Sequence, residues 1–196
     1  MNEPSDEELI RRAGQGDRLA YADLVRRHLG RVTGMAQRIM SSRADAEEIA
    51  QEAFMRVWTK APNWQSAAAG AAGETPVGTA KFSTWLYRVV VNLCIDRKRR
   101  PRHRPMDESI DPPDLAPLAP DRIGSAQIGA HVAAAVARLP ERQRTALTLC
   151  FFEELSNREA AEIMALTPGA VESLLVRARR ALRTALAGMA ADLLEV

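Results

Sequence analysis

Aromatic side chains are scarce: Phe, Trp and Tyr make up 5% of the 196 residues. The apolar fraction is still 46%, carried mainly by Ala, Leu and Val. A core poor in rings and rich in Ala and Leu favours helices over a sheet. Cysteine is nearly missing as well. Cys94 and Cys150 lie in different segments with no Cys-x-x-Cys pair. That excludes a disulfide framework and leaves two small hydrophobes in a reducing compartment. His28, His103 and His131 are scattered without metal-ligand spacing, so no metal and no cofactor is expected. No apolar run approaches the roughly 20 residues of a membrane span. The N-terminal stretch MNEPSDEELIRRAGQGD is polar and acidic, unlike a signal peptide. The expectation is a soluble cytoplasmic protein. There is no nucleophile–base pair and no Gly-x-x-x-x-Gly-Lys-Ser/Thr phosphate loop, so no enzyme is expected.

What the chain does have is segregated charge. The net charge is only +2, but DAEEIAQE is acidic, RKRRPRHR basic, DESIDPPDLAPLAPD acidic, and RARRALR basic again. Alternating blocks of this kind point to separate surfaces with different partners.

The periodicity predicts an all-α protein of two small helical domains. Residues 1–100 read as the first. SDEELIRRAGQGD is a short capped helix, with Ser5 followed three residues later by Glu8, ending at Gly14 or Gly16. Leu24, Val25, Leu29, Val32, Met35, Ala36, Ile39 and Met40 mark one long amphipathic helix. Ser41-Ser42 opens the next, with Ala46, Ile49, Ala50, Ala53, Phe54 and Val57 facing inward. A small-residue loop from Asn63 to Lys81 leads to FSTWLYRVVVNLCIDRKRR, whose buried stripe is Leu86, Val89, Val90 and Leu93. Residues 101–124 hold six prolines and several acids, without periodicity. Proline removes backbone donors and blocks helix, so this is a flexible Pro/Asp-rich linker. Residues 125–196 form the second domain. AHVAAAVARL stops at Pro140, placed as the first residue of the helix PERQRTALTLCFFEEL. Ser156 with Glu159 makes a capping box for a helix over Asn157 to Ala165. Thr167 and Pro168 start a longer basic helix. Short helix, tight turn and longer basic helix make a helix-turn-helix pattern.

Three surfaces stand out. In the last helix Val171, Leu174, Leu175, Ala178 and Leu182 pack inward, leaving Glu172, Ser173, Val176, Arg177, Arg180 and Arg183 outside. Short polar groups near the N-terminus with arginines further along suit base edges and phosphates of duplex DNA. A solvated basic face is the plain alternative. In the Phe82–Arg100 segment, Trp85, Arg88, Asn92, Asp96 and Arg99 form a row three or four apart. A ring, an amide and guanidinium groups in one row suit unstacked bases. The alternative is a half-buried Trp85 beside a solvated Asn92, and the segment alone does not decide. On the acidic helix Asp45, Glu48, Gln51, Glu52 and Met55 line the outer side. A stripe ending in Met suggests a protein partner with a basic surface, but taken by itself ordinary solvation is the better explanation.

Together DAEEIAQEAFMRVW, FSTWLYRVVVNLCIDRKRR and LPERQRTALTLCFFEELSNREAAEIMALTPGAVESLLVRARRALR resemble the sigma-70 family of bacterial transcription initiation factors. The match is to its compact extracytoplasmic-function (ECF) branch and covers nearly the whole chain. The resemblance implies that both domains bind core RNA polymerase. Asp45, Glu48, Gln51, Glu52 and Met55 would dock on the β′ clamp helices. The helix carrying Trp85, Arg88, Asn92, Asp96, Arg97, Arg99 and Arg100 would recognise the −10 element, with the preceding loop capturing a flipped base. Glu172, Ser173, Val176, Arg177 and Arg180 would read the −35 element as duplex, and the same domain would touch the β flap. The linker would thread toward the active centre. An anti-sigma protein would control the factor. Two features depart from the family pattern: Glu172 and Leu174 stand where basic residues are common, and the loop before Lys81 is long. The rival readings are a helix-turn-helix repressor or activator on duplex DNA, with an N-terminal dimerisation domain, and a protein-only adaptor.

Overall fold

The structure is a computed structural model in which residues 3–64, 81–99 and 123–194 are described. The loop 65–80, Arg100 and the linker 101–122 lie outside the described residues, and so do the expectations placed on them. No strand occurs among the described residues, and the all-α expectation holds.

Caps set the helix starts. Ser5 Oγ accepts from the Glu8 amide at 3.2 Å and opens α1, Asp6–Gly14. Asp17 accepts from the Leu19 and Ala20 amides and opens α2, Arg18–Met40. Ser42 caps α3, Arg43–Lys60, through the Asp45 amide. A 3-10 turn, Ala61–Asn63, follows. Each such cap satisfies a backbone donor that the first turn leaves without a partner. The fourth helix, α4, is Phe82–Arg99. It packs on α1, α2 and α3 and is buried along most of its girth, at Phe82, Trp85, Leu86, Tyr87, Val90, Val91, Leu93 and Cys94. Hence Val89, expected deep in the stripe, is only partly buried. In α2 the inward set holds except for Leu29, which is exposed, while His28 turns in instead. His28 Nε2 lies 2.7 Å from Asp6 Oδ2, and its ring meets Phe82 edge-on. A polar pair therefore fills a place that periodicity alone would give to Leu.

The C-terminal group begins with α5, Ile123–Ala137. Pro140 sits at the N-cap of α6, Glu141–Leu147, one position earlier than expected. The expected helix through Leu155 does not run straight on: residues Thr148–Phe152 form a π turn. A π turn inserts one extra residue per turn, and such turns recur at functional positions. Then come α7, Asn157–Met164, and α8, Pro168–Leu194. The predicted capping box is present in full, with Ser156 and Glu159 bonding reciprocally. The turn between them uses Ala165 in the left-handed region at φ 51°. Thr167 Oγ1 accepts from the Ala170 amide at 3.2 Å.

The two helical groups share one core. Ala146, Leu149, Ala160, Ala161, Ile163, Val171 and Leu175 belong to the same apolar cluster as the helices of the first group. A smaller cluster, Val136, Leu139, Leu147 and Ala178, closes the second group on itself.

Candidate nucleic-acid and polymerase interfaces

Consider first α8. Val171, Leu175 and Ala178 are buried, with Leu174 and Leu182 half-buried. That leaves Glu172, Ser173, Val176, Arg177, Arg180 and Arg183 exposed, as the periodicity predicted. Ser173 Oγ donates back to the Gly169 carbonyl at 3.0 Å. The face thus presents a carboxylate, a hydroxyl and an apolar Val176 near the N-terminus, then guanidinium groups. This is the order of groups a helix needs to approach a major groove.

On α4 the row predicted from spacing is brought together only in part. Asn92, Asp96 and Arg99 are exposed and Arg88 is half-buried. Trp85 is not in that row: it is 7% exposed. Its ring packs 5.2 Å from Trp64 and 6.1 Å from Phe82. Spacing places a residue on a helix face, but Trp64 and Phe82 cover that face at its N-terminal end. Trp85 is therefore part of the packed core, not an open stacking platform.

The cationic block at the end of α4 is also divided. Arg97 Nε donates to Asp45 at 3.0 Å, and its Nη2 reaches Glu48 at 2.5 Å. Both carboxylates hold the guanidinium charged, pushing its pKa up, with the Glu48 bond the largest cause. Lys98 Nζ donates to the Ile39 carbonyl at 2.9 Å. That carbonyl belongs to the last turn of α2, where cations are favoured. Arg97 and Lys98 thus tie α4 to α3 and α2, while Arg99 faces outward.

The acidic stripe needs one correction. Asp45 does not line the outer side. It is 9% exposed, turned toward α4 by Arg97. Glu48, Gln51, Glu52 and Met55 are exposed as expected, Met55 at 61%. Glu52 pairs with Arg56 at 2.6 Å. A cleft of about 280 Å³ joins the two helices, lined by Glu48, Gln51, Glu52 and Met55 from α3 and by Leu93, Asp96 and Arg97 from α4. The acidic stripe and Asp96 of the α4 row therefore border the same cleft.

Sequence reasoning missed a set of polar contacts between the two helical groups. Glu153, next to the π turn, is 4% exposed and accepts from Arg31 Nε at 2.9 Å. Arg38 Nη1 lies 3.5 Å from the same carboxylate. Arg144 is buried and donates to Ser41 Oγ at 3.1 Å. Arg88 Nη2 donates to the Glu162 carbonyl at 2.9 Å. No local pattern announces such pairs, because their partners lie more than 70 residues away in sequence.

Among the described residues there is no cluster of His, Cys, Asp or Glu able to hold a metal. No helix among them is long and apolar enough to cross a membrane. Cys94 is buried, and burial pushes its thiol up to about 12. Cys150 is half-buried and also free.

Comparison with known proteins places these surfaces in a family. The Sigma-70 region 2 family matches residues 24–104, and the Sigma-70 region 4 family matches residues 131–182. The RNA polymerase sigma-H factor of Pseudomonas aeruginosa is 29% identical over 95% of this chain and 96% of its own. The ECF RNA polymerase sigma factor SigW of Bacillus subtilis is 30% identical over 89% of this chain and 92% of its own. In fold, CnrH in its complex with the cytosolic domain of CnrY aligns with a TM-score of 0.65 at 22% identity. That alignment covers 94% of this chain and 99% of the other. The sigma factor RpoE, crystallised with the anti-sigma factor NepR from Bartonella quintana, gives 0.63 at 21% identity, covering 85% and 96%. The region 2 match spans the cleft between α3 and α4 and the region 4 match spans the helix-turn-helix, so the chain belongs to the sigma-70 family of RNA polymerase sigma factors, in its ECF group.

Proposed function

We propose that this ECF sigma factor holds promoter DNA in two chemically different ways on two helices. As a sigma factor it directs core polymerase to promoters and is not itself an enzyme. The finer division is as follows. The outward row of α4, Arg88, Asn92, Asp96 and Arg99, faces the −10 element as an opened strand, with Arg100 continuing its charge. Trp85 supports this surface from below. The polar face of α8, Glu172, Ser173, Val176, Arg177 and Arg180, reads the −35 element as duplex. The exposed stripe Glu48, Gln51, Glu52 and Met55 docks on the β′ clamp helices, and the C-terminal domain also meets the β flap. Asp45 and Arg97 hold the stripe and the DNA row in register. Residues 1–100 and 125–196 act as the two domains, and 101–124 tethers them.

The observation that carries this reading is the cleft where the α3 stripe and the α4 row meet. Polymerase docking and strand capture then occur side by side on one rigid pair of helices. Energetically, unstacking a base costs a few kcal/mol, and the guanidinium and amide groups of the α4 row offset it through charge-assisted contacts to phosphates and hydrogen bonds to base edges. RpoE of similar fold was crystallised with an anti-sigma factor, and CnrH with the cytosolic domain of CnrY. An anti-sigma protein covering polymerase-binding faces is the corresponding regulator here.

The test is charge reversal at the stripe. Glu48→Lys with Glu52→Lys places cations against a basic partner, and affinity for core polymerase falls by about tenfold or more. Co-purification with core at wild-type yield contradicts the assignment.

A further inference from the structure

The start of α4 is held from another helix. Lys81 stands at its N-cap: the Lys81 carbonyl accepts from the Trp85 amide at 3.3 Å, and the helix begins at Phe82. A lysine side chain carries donors only, and a cation at a helix N-terminus opposes the dipole. The acceptor comes instead from Glu7 of α1. Its Oε1 accepts from the Phe82 amide at 3.2 Å, across 75 residues of sequence. A carboxylate in this place satisfies an orphan donor and meets the positive end of the helix.

We propose that Glu7 is a positioning residue for promoter opening, fixing the first turn of α4 from α1. Its role rests on the assignment of α4 to the opened strand. Neighbouring contacts aim Glu7 at this amide. Asp6 accepts from Arg27 at 2.9 Å and lies 2.7 Å from His28 Nε2, which fixes the first turn of α1 on α2. His28 in turn meets the Phe82 ring edge-on at 5.3 Å. Phe82, fully buried, is thus gripped at its amide by Glu7 and at its ring by His28. Leu9, Ile10 and Ala13 seat the rest of α1 in the core. At the far end of α1, Gly14 lies against the Ala61 carbonyl. The helix therefore bridges the turn that follows α3 and the start of α4.

The consequence falls on the DNA row. Arg88 stands fewer than two turns from Phe82, with Asn92 about one turn beyond. A helix whose first amide loses its partner frays from that end, and the row then loses its fixed height. The stripe on α3 has its own cap, Ser42. Loss of the Glu7 bond therefore impairs opening and spares docking on polymerase.

Three variants of the full-length chain test this, in reconstituted holoenzyme on a promoter that the wild type melts. Glu7→Ala removes the acceptor, while Glu7→Gln keeps an acceptor oxygen and drops the charge. Glu8→Ala is the control on the same helix, losing only a surface pair with Arg11. In Glu7→Ala the Phe82 amide exchanges with solvent about fivefold faster, the ratio that a cap of ordinary strength supplies. Permanganate-reactive thymines fall by a similar factor, while core binding and promoter occupancy stay at wild type. Glu7→Gln restores both protection and melting, and Glu8→Ala never loses them. Normal melting in Glu7→Ala overturns the proposal. So does an equal loss in Glu7→Gln, which would make charge rather than the bond responsible, or in Glu8→Ala, which would make α1 stability responsible. Asn92→Ala runs alongside as the measure of the α4 assignment. Lost melting there with normal melting in Glu7→Ala sinks the role of Glu7 alone, and normal melting in both sinks the assignment of α4 as well.

Discussion

Gly14 shows how tightly single positions are set in the first helical group. It ends α1 where the 3-10 turn crosses. An added Cβ would lie inside contact distance of the Ala61 carbonyl oxygen and 2.8 Å from its carbon. Backbone cannot step aside as a flexible side chain can. Gly14→Ala is expected to cost about 1–3 kcal/mol through overpacking. Gly30 is exposed in the middle of α2, where an added Cβ would meet no neighbouring element. Gly30→Ala is expected to stabilise by about 0.5–1 kcal/mol, since alanine loses less freedom in a helix. Urea denaturation of the pair measures both, and equal effects at the two positions would contradict the account. Trp85 and Asp45 carry the complementary lesson. Their helix positions were legible, but their exposure was not. Trp64, Phe82 and Arg97 decide it, and each of these lies on another element or another turn.

At the scale of elements, caps made the helix starts readable. Ser5, Ser42, Ser156 and Thr167 each bond a first-turn amide where the sequence pattern placed them. The π turn at Thr148–Phe152 was not readable, because its residues keep helical spacing up to Glu153. Its role becomes clear only in the packing. The extra residue turns Glu153 inward toward α2 and leaves Phe151 and Phe152 exposed. The capping box matters most for α7, which has only eight residues to offset its nucleation cost. Ser156→Ala removes the acceptor for the Glu159 amide, at a cost of about 1 kcal/mol. The expected result is a lower denaturation midpoint with an unchanged slope. DNA affinity should fall more in this variant than in Thr184→Ala, a substitution further along α8. Equal losses would show that the α7 cap does not position the recognition helix.

For the whole molecule, the family was legible because separate stretches of the chain each carry their own local pattern. The relation between the two helical groups was not. It depends on pairings such as Glu153 with Arg31, separated by 122 residues, and no periodicity encodes those. The acidic stripe, the α4 row and the α8 face nevertheless form a consistent set. The first two border a cleft, and the third stands on a separate helix, α8. Binding and opening of the promoter should therefore fail separately when the two faces are altered separately.

Permanganate footprinting of reconstituted holoenzyme tests that separation most directly, comparing Asn92→Ala with Arg177→Ala on one promoter. The account predicts that Asn92→Ala still occupies the promoter but loses reactive thymines in the −10 region. Arg177→Ala should lose occupancy, and melt normally wherever it is forced on by excess protein. Unchanged melting in the Asn92 variant, or loss of the same step in both, would contradict it.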